Sequence, residues 1–154
     1  MYILNPVNKP YLLNEIYESN FYKLFQLMPN LTQIQYSAAA LLHGNPTLYL
    51  KLLNRSPYTL TIELTHCFNH KNEELFEPAM KIQVYLDAKS VEVLNKPKPN
   101  NHSTTMAIKP SAEDILNNKW NSNYFLEKWL NHCIASGYKF HPEKFKKQTA
   151  RSGA

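Results

Sequence analysis

Thr47-Leu48-Tyr49-Leu50-Lys51-Leu52-Leu53, a turn at Asn54-Arg55-Ser56-Pro57, and then Tyr58-Thr59-Leu60-Thr61-Ile62-Glu63-Leu64-Thr65 decide the fold of this chain. In the first run Leu48, Leu50 and Leu52 alternate with Tyr49 and Lys51. In the second, Tyr58, Leu60, Ile62 and Leu64 alternate with Thr59, Thr61, Glu63 and Thr65. A period of two sends one set of side chains into a core and the other into water or a binding site, so both runs predict half-buried antiparallel strands.

The pattern extends in both directions. Downstream, Met80, Ile82, Val84 and Leu86 alternate with Lys81, Gln83, Tyr85 and Asp87, and Asp87-Ala88-Lys89-Ser90 predicts a tight turn into Val91–Leu94. Upstream, Ile34, Tyr36, Ala38, Ala40 and Leu42 share one parity and predict a strand ending at His43-Gly44-Asn45-Pro46, although the alanine run also suits a helix. Asn69 to Pro78 is polar and reads as a loop. The connections are too short for parallel crossovers, so these strands make a meander of four to five.

Helical spacing flanks the meander. Tyr17, Phe21, Leu24, Phe25 and Met28 predict a helix from about Asn14 to Met28, stopped by Pro29-Asn30. Phe125, Leu126, Trp129, Leu130, Cys133 and Ile134 predict another from about Ser122 to Ser136, with Gly137 at its C′ position. Ser111-Ala112-Glu113-Asp114 resembles a helix start, though the capping box prefers Glu or Gln at its last position. Pro6 and Pro10 predict extended chain over the first ten residues, and Asn95 to Pro110 a loop. The expected fold is α+β, with an N-terminal and a C-terminal helix packed on one face of an antiparallel sheet. It is a single domain over residues 1–138, followed by a basic, flexible tail at 139–154.

At 154 residues with 44% hydrophobic and 19% charged content, the chain has the composition of one soluble domain. A domain of that size buries roughly 70% of its unfolded surface. Apolar runs such as Ala38 to Leu42 are too short to span a bilayer, and Met1 to Pro6 lacks a signal-peptide core, so a cytoplasmic protein without a membrane anchor is expected. Cys67 and Cys133 are too few for a disulfide scaffold and read as thiols. The net charge of +5 suggests acidic partners, but Arg55 and Arg151 are the only guanidinium groups and no recognition motif is present. That argues against nucleic acid.

If the apolar sheet face takes the helices, the other face presents Tyr49, Lys51, Glu63, Tyr85 and Asp87 with Glu92 beside them, and these are the candidate ligand-binding residues. The plainer reading is a solvated face with cross-strand Lys–Glu and Lys–Asp pairs. His66-Cys67, His70 and His132-Cys133 form the densest cluster of soft ligands. Whether the five meet is open; adjacent residues diverge, no Cys-x-x-Cys is present and Cys133 sits on an apolar stripe, which favours core thiols over zinc. Three glycines, none in a Gly-rich loop, supply no Walker or Rossmann phosphate cradle, and no cofactor is specified. Trp129 reads as a core anchor; Tyr49 and Tyr85 read as stacking or interface aromatics.

Several blocks recur in a known order. They are Tyr17-Glu18-Ser19-Asn20-Phe21 to Leu27-Met28-Pro29, Tyr58-Thr59 to Ile62-Glu63, and Pro78-Ala79-Met80 to Tyr85-Leu86-Asp87-Ala88. Val91-Glu92-Val93 and Asn123-Tyr124-Phe125-Leu126 to Trp129-Leu130, Cys133 and Gly137 complete the set. In order and spacing this resembles the YqiB-like family, a bacterial family of unknown function. The resemblance implies a bacterial cytoplasmic protein and no reaction. Relatives tend to carry an acidic pair and a lysine before the last helix, where this chain has Asn117-Asn118-Lys119.

The functional expectation is a non-enzymatic binding or adaptor module that engages a protein or small ligand, through the polar sheet face or an exposed strand edge, with a homodimer as one assembly. The alternative is a small metal-dependent enzyme acting on a phosphorylated or nucleotide-like substrate, with Glu63 and Asp87 as metal or acid/base residues and Lys51 as the anion contact.

Overall fold

The computed structural model describes residues 9–70, 73–94 and 111–141. Five strands, β1 (Ser37–Ala40), β2 (Thr47–Ser56), β3 (Thr59–His70), β4 (Glu73–Tyr85) and β5 (Ser90–Val93), form one antiparallel sheet in chain order. Helix α1 (Lys9–Leu27) precedes the sheet and α2 (Ala112–Ser136) follows it, giving the expected α+β architecture. No described helix is long and apolar enough to cross a membrane.

The period-two pattern sets the register. Leu52 pairs with Ile62, Ile62 with Ile82 and Ile82 with Val93, so one apolar row crosses four strands. Leu48, Leu50, Leu60, Leu64 and Val84 lie on the same face and are fully buried beneath Leu24 of α1 and Leu126, Leu130 and Cys133 of α2. Each such aliphatic side chain contributes about 1.5–3 kcal/mol relative to leaving it exposed.

The boundaries differ from the sequence reading in four places. Helix α1 begins at Lys9, so Pro10 lies in its first turn, where the missing N–H has no helical partner to lose. The first strand is shorter than its alternation, because Leu31–Gln33 forms a 3-10 turn. Arg55 pins that turn by donating to the Thr32 carbonyl at 3.0 Å and to the Ile34 carbonyl. The polar stretch expected as a loop is strand instead: β3 and β4 stay paired as far as His70 and Glu73. A backbone ladder is indifferent to side-chain polarity, which is why composition misled there. Finally, α2 starts ten residues early, at Ala112. Its capping box closes with aspartate, Ser111 Oγ accepting from Asp114 N at 3.1 Å and Asp114 Oδ2 from Ser111 N at 3.2 Å. Gly137 ends α2 in the left-handed region, φ 99°.

The expected loop at 95–110 and residues 142–154 of the tail lie outside the described residues. The start of the tail is anchored rather than flexible: Phe140 is buried, like Tyr138 at the end of the expected domain, and Phe140 N donates to the Leu27 carbonyl at 2.9 Å.

Two fully buried asparagines join the helices to the last strand. Asn20 of α1 donates to the Asn123 carbonyl at 3.1 Å, and Asn123 Oδ1 accepts from Val93 N of β5 at 2.9 Å. The helices thereby close the β5 edge of the sheet.

Candidate functional site

A bulge prepares the site. Thr65 pairs with Ala79 and Cys67 with Phe76, which leaves Glu77 and Pro78 opposite the single residue His66. Bulges bend a strand and re-aim its side chains, and Pro78 is tolerated there because no ladder N–H is required of it. His66 continues the inward parity of Leu60, Ile62 and Leu64, and is itself only 6% exposed.

The imidazole sits among aromatic rings, with centroids 5.4 Å from Trp129, 5.3 Å from Tyr138 and 6.1 Å from Phe68. Trp129 Nε1 donates to His66 Nδ1 at 3.1 Å. An indole N–H only donates, so Nδ1 is unprotonated and the neutral ring carries its proton on Nε2, 3.9 Å from Cys133 Sγ. Burial lowers the His66 pKa below its ordinary 6.5, and nearby His132 acts in the same direction. Burial also pushes the Cys133 thiol up to about 12. A neutral imidazole beside a neutral thiol is the reverse of an activated thiolate–imidazolium pair. Tyr138 closes this end by donating its hydroxyl to the Pro46 carbonyl.

Above His66 lies a groove of about 430 Å³, lined by Phe68, Phe125, Lys128, Trp129, His132 and Tyr138 together with Pro46 and Pro78. The two phenylalanines are 41% and 48% exposed, while Trp129 is 6% exposed, so the rim is apolar and accessible and the floor is packed. Lys128 Nζ stands 5.0 Å from the centroid of the Tyr124 ring, which stacks on Trp120. Among the described residues no carboxylate lines the groove. A second concavity, near 450 Å³, surrounds Arg55, whose guanidinium is already committed to backbone carbonyls.

The soft-ligand cluster is only partly assembled. His66 and Cys133 meet and His132 is close, but Cys67 pairs with Thr47 and Phe76 on the opposite sheet face, and the His70 side chain lies outside the described residues. Among the described residues there is no group of three His, Cys, Asp or Glu side chains placed to hold a metal ion.

The polar sheet face has the expected members in two separate places. Lys51, Glu63 and Lys81 lie side by side across β2, β3 and β4, the geometry of alternating cross-strand charges. Tyr49 is near Phe76, with ring centroids 6.3 Å apart. At the β5 end, Glu92 accepts from the Tyr85 hydroxyl at 3.3 Å and pairs with Lys119 at 3.3 Å. Burial and then Glu92 push the Tyr17 phenol up to about 12. Asp87 Oδ1 accepts from Ala88 N at 2.9 Å in the β4–β5 turn. Because Tyr85 is opposite Thr59, Asp87 lies beyond the start of β3, and the four residues back to Glu63 span about 13 Å at a strand's ~3.3 Å rise. Tyr85 and Glu92 are brought together; Glu63 and Asp87 are not.

His66 makes the stability of this region depend on pH. Its folded pKa lies below 6.5, so on acidification the unfolded chain takes up a proton before the native one does. Stability is therefore full above about pH 6.5 and falls as pH drops toward the folded value. The melting temperature is expected to fall between pH 7.5 and 5.5, less so in His66→Phe. An NMR titration of the His66 ring with a midpoint at or above 6.5 would contradict this.

A family model described as "Protein of unknown function (DUF1249)" matches residues 23–139. No curated protein and no solved structure matches the chain.

Proposed function

From the premise that the chain belongs to the DUF1249 family, whose function is unknown, we propose that it is a non-enzymatic binding module with its site in the groove around His66. The observation that carries this reading is the pair of half-exposed rings, Phe68 and Phe125, over a floor holding Trp129 and His66 in about 430 Å³. That volume and lining suit a small molecule: apolar walls for most of its surface and a few polar groups to orient it.

Charge narrows the ligand. Lys128 and His132 line the groove and no carboxylate among the described residues does, which favours a planar, largely apolar molecule bearing an anionic group. The neutral Cys133 and neutral His66 support binding over nucleophilic chemistry. The order and spacing of the sequence blocks support a YqiB-like identity, and with it a bacterial cytoplasmic setting.

The anionic fluorophore 1-anilinonaphthalene-8-sulfonate is a suitable probe. Titration of the folded protein is expected to saturate at one site. Phe125→Ala and Lys128→Gln, both at accessible positions, should each weaken binding about five- to tenfold, roughly 1–1.4 kcal/mol. Tyr49→Ala, on the polar sheet face, should leave it unchanged. No saturable binding, or equal affinity in parent and Phe125→Ala, would remove the groove as the site.

A further inference from the structure

The two edges of the sheet are treated differently. At β5, Val93 N is capped by Asn123 and the helices pack alongside. At β1 no strand among the described residues pairs with the side away from β2, and the hydrogen-bond phase of that edge can be read from the register. Leu52 N donates to the Tyr36 carbonyl at 2.7 Å, so 36/52, 38/50 and 40/48 are the hydrogen-bonded pairs of the β1–β2 ladder. Ser37 and Ala39, in the alternate positions, turn their backbone N–H and C=O groups away from β2.

We propose that this chain forms a symmetric homodimer in which β1 pairs antiparallel with β1 of a second copy, Ala39 facing its counterpart across the two-fold axis. The hydrogen-bonded pairs are then Ala39 with Ala39, and Ser37 with Leu41 in both directions, roughly six backbone bonds. The two five-stranded sheets become one, with both helix layers on the same side.

Three observations single out a second copy as the occupant. Residues 36–42, Tyr-Ser-Ala-Ala-Ala-Leu-Leu, carry no charge in a chain of net charge +5, so like-charged copies meet at a neutral segment. The edge also lacks the lysine, proline or bulge with which edges are usually blunted. Further, Tyr36 and Leu41, 66% and 62% exposed, stand at opposite ends of the strand. Antiparallel self-pairing sets Tyr36 of each copy beside Leu42 of the other, and Leu41 beside Ser37, so one contact is made twice.

Sedimentation velocity over a concentration series tests this. The parent is expected to sediment as a dimer of the 18.0 kDa chain. Ala39→Pro removes only an outward N–H, and should raise the dimer dissociation constant at least tenfold while the far-UV CD spectrum is unchanged. A charge pair keeps the test independent of that backbone change. Ala39→Lys and Ala39→Glu should each be monomeric alone, because like charges face across the axis, and should form a heterodimer when mixed. A parent that stays monomeric at high concentration overturns the proposal. So does a dimer that persists in Ala39→Pro, or a Lys and Glu pair that fails to recover association.

Discussion

Replacing Trp129 by alanine is expected to destabilise the protein by about 3–5 kcal/mol, the usual cost of deleting a large buried aromatic side chain. In a domain of this size that corresponds to a melting temperature lower by roughly 10–15 °C. Two losses combine. The indole is 6% exposed and packs against Phe125 and His66, so its removal opens a void between α2 and the sheet. It also leaves His66 Nδ1 without the donor that Trp129 supplies at 3.1 Å. Trp129→Phe separates the terms, keeping an aromatic ring but no N–H. It should cost about 1–2 kcal/mol, the order expected for an orphaned buried acceptor, and let the His66 pKa rise relative to the parent. Chemical denaturation followed by far-UV CD gives the stabilities. An alanine variant within 1 kcal/mol of the parent would show that the ring is not a packing anchor.

Asn123→Ala should cost about 2–4 kcal/mol. The side chain is fully buried and accepts from Val93 N at 2.9 Å while donating to the Lys119 carbonyl at 2.8 Å. Alanine leaves the Val93 N–H unpaired in a dry environment, and each such orphan costs roughly 1–3 kcal/mol before any cavity is counted. Asn123→Asp is the more specific test. Ionised, the carboxylate is buried and faces the Lys119 carbonyl without a donor; protonated, it can reproduce both asparagine bonds. Burial raises the folded pKa above the unfolded one, so the native state takes up the proton first on acidification. The deficit of the aspartate variant relative to parent should shrink from pH 7 toward pH 5. A deficit that grows on acidification would mean the side chain is solvated.

The alternations at Leu48–Leu52 and Leu60–Leu64 made the sheet legible because strand periodicity is a direct record of which face is buried. The same signal was available for His66, which shares the parity of Leu64 and is buried with it. It was masked by the neighbouring Cys67, which suggested a joint ligand pair although successive strand residues point to opposite faces. The partnership of His66 with Trp129 joins residues separated by 63 positions, and no local pattern encodes it. Asn20 and Asn123 were hidden for a related reason. Each occupies a helical position where polarity suggests solvent, and its burial follows only from the contact between α1, α2 and β5. Of the polar-face candidates, Tyr85 and Glu92 come together because β4 and β5 form a tight hairpin. Glu63 and Asp87 share a face in the pattern, but the register separates them along it.

The strand order also has a kinetic meaning. Every strand lies beside its neighbour in sequence, so the sheet can assemble hairpin by hairpin with little loop-closure entropy at each step. Its apolar cover cannot. The bond from Asn20 to Asn123 and the ion pair from Lys23 to Glu127 close spans of 103 and 104 residues, far longer than any hairpin of the meander, and such distant closures are intrinsically slower. During synthesis α2 leaves the ribosome only after the whole meander. Until it docks, Leu48, Leu50, Ile62 and Leu64 form a greasy nascent surface with only α1 to shelter it, and that interval is when aggregation or chaperone capture competes with folding.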